Sequence, residues 1–327
     1  MDQFSKFSPI SGYTIRGIQK SDISSLTDFV SACSALDGNT NPKSLQTWES
    51  LVNSPNIGSN SLIAVSNSGE VAFYGWFEVD HRVEENLIFL DGRVHPDFRR
   101  QGYGSALLDW LESNAINQVK AAGDERSCSF RIMYYDRAPD APRLFKNRGY
   151  ELMYIEQEMQ RELEITLPGI NDNDLEFKTW HEGNQSEFYE VYRAAFQTRT
   201  ENLMSADAWW GHFANPSDED FHPENSVLVY KSGIPAAYSV VHVEADPDNP
   251  GGLIPWISQI GVGRDFRRRG IGTILLGKTM DGLKKSGYQT VKLSVNVNNS
   301  EALSLYDKIG FLTVKSLTMY HKPAEIH

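Results

Sequence analysis

The sequence predicts an α/β or α+β fold around a central sheet, built twice along 327 residues. Three observations carry that expectation. Strand-like and helix-like stretches alternate along the whole chain, as in layered domains with a sheet at the centre. An apolar strand runs into an arginine- and glycine-rich turn and then a helix across Gln259–Leu276, Q-I-G-V-G-R-D-F-R-R-R-G-I-G-T-I-L-L. The same device occurs 168 residues earlier: Val94–Leu108 aligns without gaps on Val262–Leu276, with valine, Asp-Phe-Arg-Arg, both glycines and Leu-Leu coinciding. A shift of half the chain marks a duplicated domain, not a short-period solenoid. The expected domains are 1–165 and 166–327.

Each element has a local reason. Tyr13–Gly17 alternates as a short strand, and Ser21-Asp22 caps a helix with Ile23, Leu26, Phe29 and Val30 on one face. Leu45–Val52 reads as a second helix, stopped before Asn53-Ser54-Pro55. Leu62–Val65 and Val71–Val79 form a hairpin across Ser66–Glu70. Leu87–Val94 leads into the first turn, Tyr103–Ala122 is a helix ending at Gly123, and Ser129–Tyr135 is a strand. Leu144–Tyr150 closes a last helix and opens a strand pair running to about Leu163; Leu167–Asp174 has linker composition. The order then repeats. Leu175–Thr179 is a strand and Ser186–Phe196 a helix; Val227–Tyr230 and Ala236–Val243 form a hairpin. Ile254–Val262 is the strand before the second turn, followed by helix Ile271–Lys285, strand Thr290–Val297, helix Ser300–Ile309 and strand Phe311–Tyr320.

A strand that delivers such a turn to a helix start is suited to holding phosphates. Free N–H groups in the first helical turn and the helix dipole both favour an anion there. Glycine lets the backbone approach the ligand. In the second copy Arg267, Arg268 and Arg269 add charge beside Gly270 and Gly272; in the first, Arg99 and Arg100 stand beside Gly102 and Gly104. A solvated turn or a nucleic-acid patch is the alternative for one such run alone. The formal charge of −12 argues against a phosphate-tracking nucleic-acid binder and suits an amine-bearing substrate. Cys33 and Cys128 make no disulfide framework, the N-terminus lacks a signal pattern, and no apolar run is long enough to span a membrane. A cytoplasmic protein without a membrane partner, monomeric or homodimeric, is expected.

Arg267-x-x-Gly270-x-Gly272 and Arg99-x-x-Gly102-x-Gly104 resemble the Q/R-x-x-G-x-G/A signature of the GNAT superfamily of acyl-CoA-dependent N-acetyltransferases. Downstream, Asn299–Phe311 is similar to that family's N-x-x-A-x-x-L-Y-x-K-x-G-F segment. The resemblance implies two GNAT domains in tandem, each a central mixed, mostly antiparallel sheet flanked by helices. It implies acetyl-CoA as donor and the amine of a small molecule as acceptor. It puts the coenzyme's diphosphate on Arg267–Thr273, that is on Arg267, Arg268, Arg269, Gly270, Ile271, Gly272 and Thr273. The pantetheine arm would lie along Ile260, Gly261 and Val262 with Asn299 bonded to it, a plain helix N-terminal residue being the alternative for Asn299, and the N–H of Val262 would face the acyl carbonyl. Tyr306 falls where the family presents a phenol to the coenzyme sulfur, as general acid; packing against Phe311 is its alternative.

The first copy keeps Val94, Arg99, Arg100, Gly102 and Gly104 but has Phe145 where the second has Tyr306, and its counterpart of Asn299 is blurred within Asp136–Asp140. It reads as a coenzyme-binding or purely structural half, with catalysis in the C-terminal domain. Mycothiol synthases are similar in having two such halves with the C-terminal one active. Several GNAT enzymes carry a glutamate six residues ahead of the Val262 position; here Trp256 stands there, and Ile88 in the first copy. Glu244, His242, Ser258 and His212 remain as candidate bases. Acceptor recognition is expected from the first helices, from Arg199–Pro223, with Trp209, Trp210, Phe213 and Phe221 lining a pocket or capping the core, and from Ala245–Gly252. A non-catalytic acyl-CoA sensor is the competing reading.

Overall fold

The structure is a computed structural model describing residues 7, 10–37, 45–54, 56–82, 84–135, 140–164, 174–197, 203–246, 249 and 251–324. Most of the expected linker at 167–174, the stretch 136–139, and parts of 199–223 and 245–252 lie outside them. The first half of the chain forms β1 (Tyr13–Arg16), α1 (Ile23–Asp37), α2 (Leu45–Val52), α3 (Ile57–Asn60), β2 (Ser61–Ser66), β3 (Val71–His81), β4 (Glu85–Val94), α4 (Tyr103–Ala121), β5 (Ser127–Tyr135), α5 (Ala141–Asn147) and β6 (Glu151–Glu162). The second forms β7 (Leu175–Thr179), α6 (Gln185–Phe196), α7 (Ala206–Phe213), β8 (Val227–Lys231), β9 (Ile234–Ala245), β10 (Leu253–Val262), α8 (Ile271–Lys285), β11 (Thr290–Asn296), α9 (Ser300–Lys308) and β12 (Leu312–Ala324). No helix among the described residues is long and apolar enough to cross a membrane.

One expectation changes. The strand pair foreseen after Tyr150 is the single strand β6. No glycine, proline or asparagine interrupts Glu151–Glu162, so nothing in that stretch turns the chain back.

The compact units are not contiguous halves. One comprises Met1–Ile155 with Ser316–His327, the other Glu156–Lys315. Strand order is β1-β2-β3-β4-β5-β12 in the first and β6-β11-β10-β9-β8-β7 in the second. The pairs β4–β5 and β10–β11 are parallel. The two halves of the chain therefore exchange their final strands: β12 pairs antiparallel with β5, and β6 pairs antiparallel with β11. Apolar burial fits this arrangement. Met159 and Leu163, from the first half, are buried with Val291, Leu293 and Tyr306, whereas Tyr320 and Ala324 pack on the core around Phe130 and Phe145. Full burial of a side chain such as Met159 contributes about 1.5–3 kcal/mol.

In the second unit the sheet separates two layers. On one face α8 and α9 pack Leu276, Met280 and Tyr306 over Val241, Ile257 and Leu293. On the other, α6 and α7 pack Phe188, Tyr192 and Trp209 over Tyr238 and Val240.

Candidate active site

The two signature turns share one backbone. Arg100 and Arg268 both have φ of 60°, and Gly102 (90°) and Gly270 (77°) follow in the left-handed region. Gly270 is the N-cap of α8 and Gly102 that of α4, and neither helix start receives a side-chain cap. The first amides of α8 therefore point out of the helix with the positive end of its dipole behind them. This contrasts with α7, capped by Ser205, and with α9, where Asn299 accepts from the N–H of Ala302 at 3.4 Å.

The three arginines divide. Arg267 turns inward: its Nε donates to the carbonyl of Val262 (3.2 Å) and Nη2 to that of Ala195 (2.5 Å). Arg268 and Arg269 are exposed, and Arg268 lies 3.3 Å from the Glu301 carboxylate on α9. The first copy repeats this design. Arg99 donates to the carbonyl of Val94 and grips the Asp37 carboxylate at 2.6 and 2.7 Å, while Arg100 pairs with Asp140. The first arginine of each signature thus braces the strand end, and the second stands in solvent.

The strand ahead of the second turn has an open edge. β10 pairs with β11 only at Trp256↔Lys292 and Ile257↔Leu293. Beyond that point the N–H of Gly263 donates across to Ala236 on the β9 side (2.8 Å). Since the polar groups of successive residues in a strand face opposite edges, those of Val262 and Ile260 face away from β9. The reach of Arg267 to the Val262 carbonyl agrees. Gly261, between them, faces Tyr238; a Cβ there would stand 2.6 Å from the ring.

A bulge separates the two copies. The β10–β9 register shifts between Ile257 and Gln259, so Ser258 is the extra residue. β4, its counterpart, pairs with β3 from Phe73↔Val94 to His81↔Asn86 without interruption. The bulge turns Gln259 toward α7, where its Oε1 accepts from Trp209 Nε1 (2.7 Å) and from the Tyr238 hydroxyl (2.6 Å). Burial pushes the Tyr238 phenol well above its usual range, so it stays a donor.

Beside the turn, α9 packs on the start of α8: a Cβ at Gly272 would meet Leu305 at 3.5 Å. Tyr306, the next residue, is buried with its ring 5.8 Å from Phe311. In the first copy Leu144 meets Gly104 in the same way, and Phe145 is buried among Tyr134, Tyr150 and Tyr320. Ile271 is buried with Val262 and Leu275 in contact, and Thr273 is partly exposed.

The face of the sheet opposite α8 carries polar groups the sequence did not bring together. Trp256 on β10 is paired with His242 on β9 and with Lys292 on β11. Lys292 is fully buried, with Nζ 3.0 Å from the Glu158 carboxylate and 5.7 Å from the Trp256 ring centroid. Glu158 comes from the exchanged strand β6, and no local pattern announces such a partner. Of the aromatic residues proposed for an acceptor pocket, Trp209 and Phe221 are buried in the core, and Trp210 and Phe213 pack partly against it. His212 makes an edge contact with Phe213.

Residues 181–311 match the model of the "Acetyltransferase (GNAT) family", and residues 58–152 match that of an "Acetyltransferase (GNAT) domain". The chain is similar to a mycothiol acetyltransferase of Parafrankia sp. (strain EAN1pec), 23% identical over 332 residues, covering 95% of this chain and 98% of that protein. A mycothiol acetyltransferase of Geodermatophilus obscurus is 24% identical over 322 residues, covering 91% and 94%. Among solved structures, a GCN5-related N-acetyltransferase from Sphaerobacter thermophilus superposes with a TM-score of 0.76 at 21% identity over 97% of both chains. A tandem GNAT protein from the clavulanic acid biosynthesis pathway gives 0.62 at 15% identity, over 96% of this chain and 99% of that one.

Proposed function

Since the chain belongs to the GNAT family of N-acetyltransferases, with two of its domains in tandem, we propose that its C-terminal copy moves an acetyl group from acetyl-CoA to the amine of a small molecule by direct attack on the thioester. The observation that carries this reading is the difference between the copies. Only the second combines the uncapped helix start with a bulged strand and a phenol on the neighbouring helix. Mycothiol acetyltransferases, which it resembles over most of its length, are the reason to place a small molecule at the acceptor site.

The donor set of the turn fits a diphosphate. Amides of Ile271, Gly272 and Thr273 face outward from a left-handed glycine, with Arg268 and Arg269 exposed beside them. Acetyl-CoA, when bound, supplies an acyl group already activated as a thioester. The open edge at Ile260 and Val262 offers amide partners to its pantetheine arm, and the Val262 N–H is the donor for developing negative charge on the acyl oxygen. Arg267 fixes the carbonyl of the same residue and so holds that edge in place. Asn299, the N-cap of α9, would hold the arm. Tyr306 is the proton donor to the departing sulfur, presented by the helix packed on Gly272.

We propose that the first copy is a structural or coenzyme-holding half that transfers nothing. Its β4 lacks the bulge, and Phe145 has no proton to give.

The test is coenzyme A release from acetyl-CoA with a panel of amines, comparing wild type with Tyr306→Phe and Phe145→Tyr. Tyr306→Phe should lower kcat by about a hundredfold with little change in the acetyl-CoA KM, and Phe145→Tyr should change neither. An unchanged kcat in Tyr306→Phe would remove the phenol from the mechanism.

A further inference from the structure

With tryptophan at position 256, β10 carries no carboxylate at that point, and an amine acceptor still has to lose a proton before it can attack. What stands there is a hydroxyl–imidazole pair. Ser258 Oγ and His242 Nδ1 lie 2.6 Å apart. Ser258 is the residue set out of register by the bulge, and it is the first residue of β10 beyond its last pair with β11. It is exposed, whereas His242 is 7% exposed beneath Phe221, at 5.7 Å between ring centroids. The hydroxyl is therefore the solvent-side contact of a buried imidazole. On the far side, Nε2 of His242 is 3.8 Å from the Asp218 carboxylate. The pair takes in two strands and a surface loop, and the bulge that positions it is missing from the first copy.

We propose that His242, acting through the hydroxyl of Ser258, accepts the proton that the acceptor's ammonium group must shed. This rests on the C-terminal copy being the one that transfers. With Ser258 donating to Nδ1, the imidazole carries its own proton on Nε2, facing Asp218. An ammonium N–H bond breaks, its proton moves to Ser258 Oγ, and the hydroxyl's proton passes to Nδ1. The freed lone pair forms the C–N bond to the acyl carbon while the C–S bond breaks. The second amine proton, shed as that C–N bond forms, balances the one taken up by the leaving sulfur. The imidazolium, opposite Asp218, returns its proton to solvent. His242 is in this sense a positioning and relay residue behind Ser258, which meets the amine.

The groups around the ring set its working range. Burial holds the imidazole below its ordinary value of 6.5; Asp218 and Asp220 from the neighbouring loop pull it up, and His212 on α7 pushes it down. Glu244 lies two residues along the same face of β9, and Lys292 on β11 is committed to Glu158. The net direction leaves His242 neutral, hence able to accept, at neutral pH.

The experiment measures coenzyme A release from acetyl-CoA with spermidine, glucosamine, phenethylamine and other amino compounds as probes, from about pH 5 to 9. Wild type, His242→Gln and Ser258→Ala are compared, with acetyl-CoA binding followed by calorimetry. The wild-type kcat should fall on an acid limb below 6.5. His242→Gln should abolish that limb and lower kcat by about a hundredfold while acetyl-CoA affinity stays as it was. Ser258→Ala, at an exposed site, should fall in the same direction, and it decides the matter if His242→Gln does not fold. Variants that keep the wild-type limb, with kcat within about twofold, overturn the relay and leave acetyl transfer standing. A wild-type protein that binds acetyl-CoA yet acetylates none of the probes overturns acetyl transfer itself, and the relay with it.

Discussion

His242 and Glu244 sit two residues apart on β9, and their protons respond in opposite senses to the same surroundings. Burial lowers the imidazole's pKa, while burial followed by repulsion from Asp220, Asp218 and Glu158 raises that of the carboxyl. For His242 the unfolded chain binds the extra proton first, so stability is full above 6.5 and declines as pH falls through the lowered native value. For Glu244 the folded chain holds its proton longer, so its contribution is full below 4.5 and is lost as pH rises through the raised native value. Urea unfolding across that range should therefore show a smaller loss of stability between pH 6.5 and 5 in His242→Gln than in wild type. Glu244→Gln should raise the midpoint at neutral pH. An identical pH dependence in all three proteins would contradict the placement of these groups. The sequence offered both residues as candidates without ranking them, because the bulge at Ser258 has no compositional mark. Gln259 is a similar case: nothing about a glutamine in an apolar run says that it will accept from Trp209 and Tyr238.

At the scale of elements, the turns were the most legible part of the chain. Their glycines and arginines are fixed by backbone geometry, and both copies fold to the same left-handed positions. The helix carrying Tyr306 was legible too, but what anchors it was not. Arg161, on the exchanged strand β6, is 2% exposed, and its Nε donates to the carbonyl of Ile309 at the end of α9 (2.6 Å). Burial pulls its guanidinium below the usual value, yet its position among carbonyls keeps it a donor. Read in isolation, a charged residue in Glu151–Glu162 belongs on a solvated strand face; only the pairing with β11 turns it inward. Arg161→Met keeps the aliphatic stem and removes the donor, leaving a helix-end carbonyl without its partner. A loss of about 1–3 kcal/mol is expected, read as a lower urea midpoint. On the proposed role of α9, kcat should fall with it while acetyl-CoA binding at the α8 turn persists. A midpoint equal to wild type would mean that α9 is held without Arg161.

For the whole molecule, the duplication and the compact units answer different questions. The matching turns, 168 residues apart, mark two copies of one domain, and we propose that the copies meet near residues 165 and 166. Folding divides the chain elsewhere, because each copy gives its last strand to the other unit. Sequence periodicity reports which residues share a face, not which strand will lie alongside, so the exchange could not be read in advance. It has a measurable consequence at Met159, which precedes that boundary and yet is fully buried with Val291, Leu293 and Phe311. Met159→Ala should cost about 2–5 kcal/mol. The loss should fall on the unit containing Glu156–Lys315 and not on the one built from most of the first copy. Hydrogen exchange resolves the two: amides of Thr290–Asn296 and Ser300–Lys308 should lose protection, while those of Val71–His81 and Tyr103–Ala121 keep theirs. The opposite distribution would place β6 beside β5, as in an unexchanged domain. Arg161 would then lose its hold on α9, and the fold of the proposed catalytic unit would have to be drawn again.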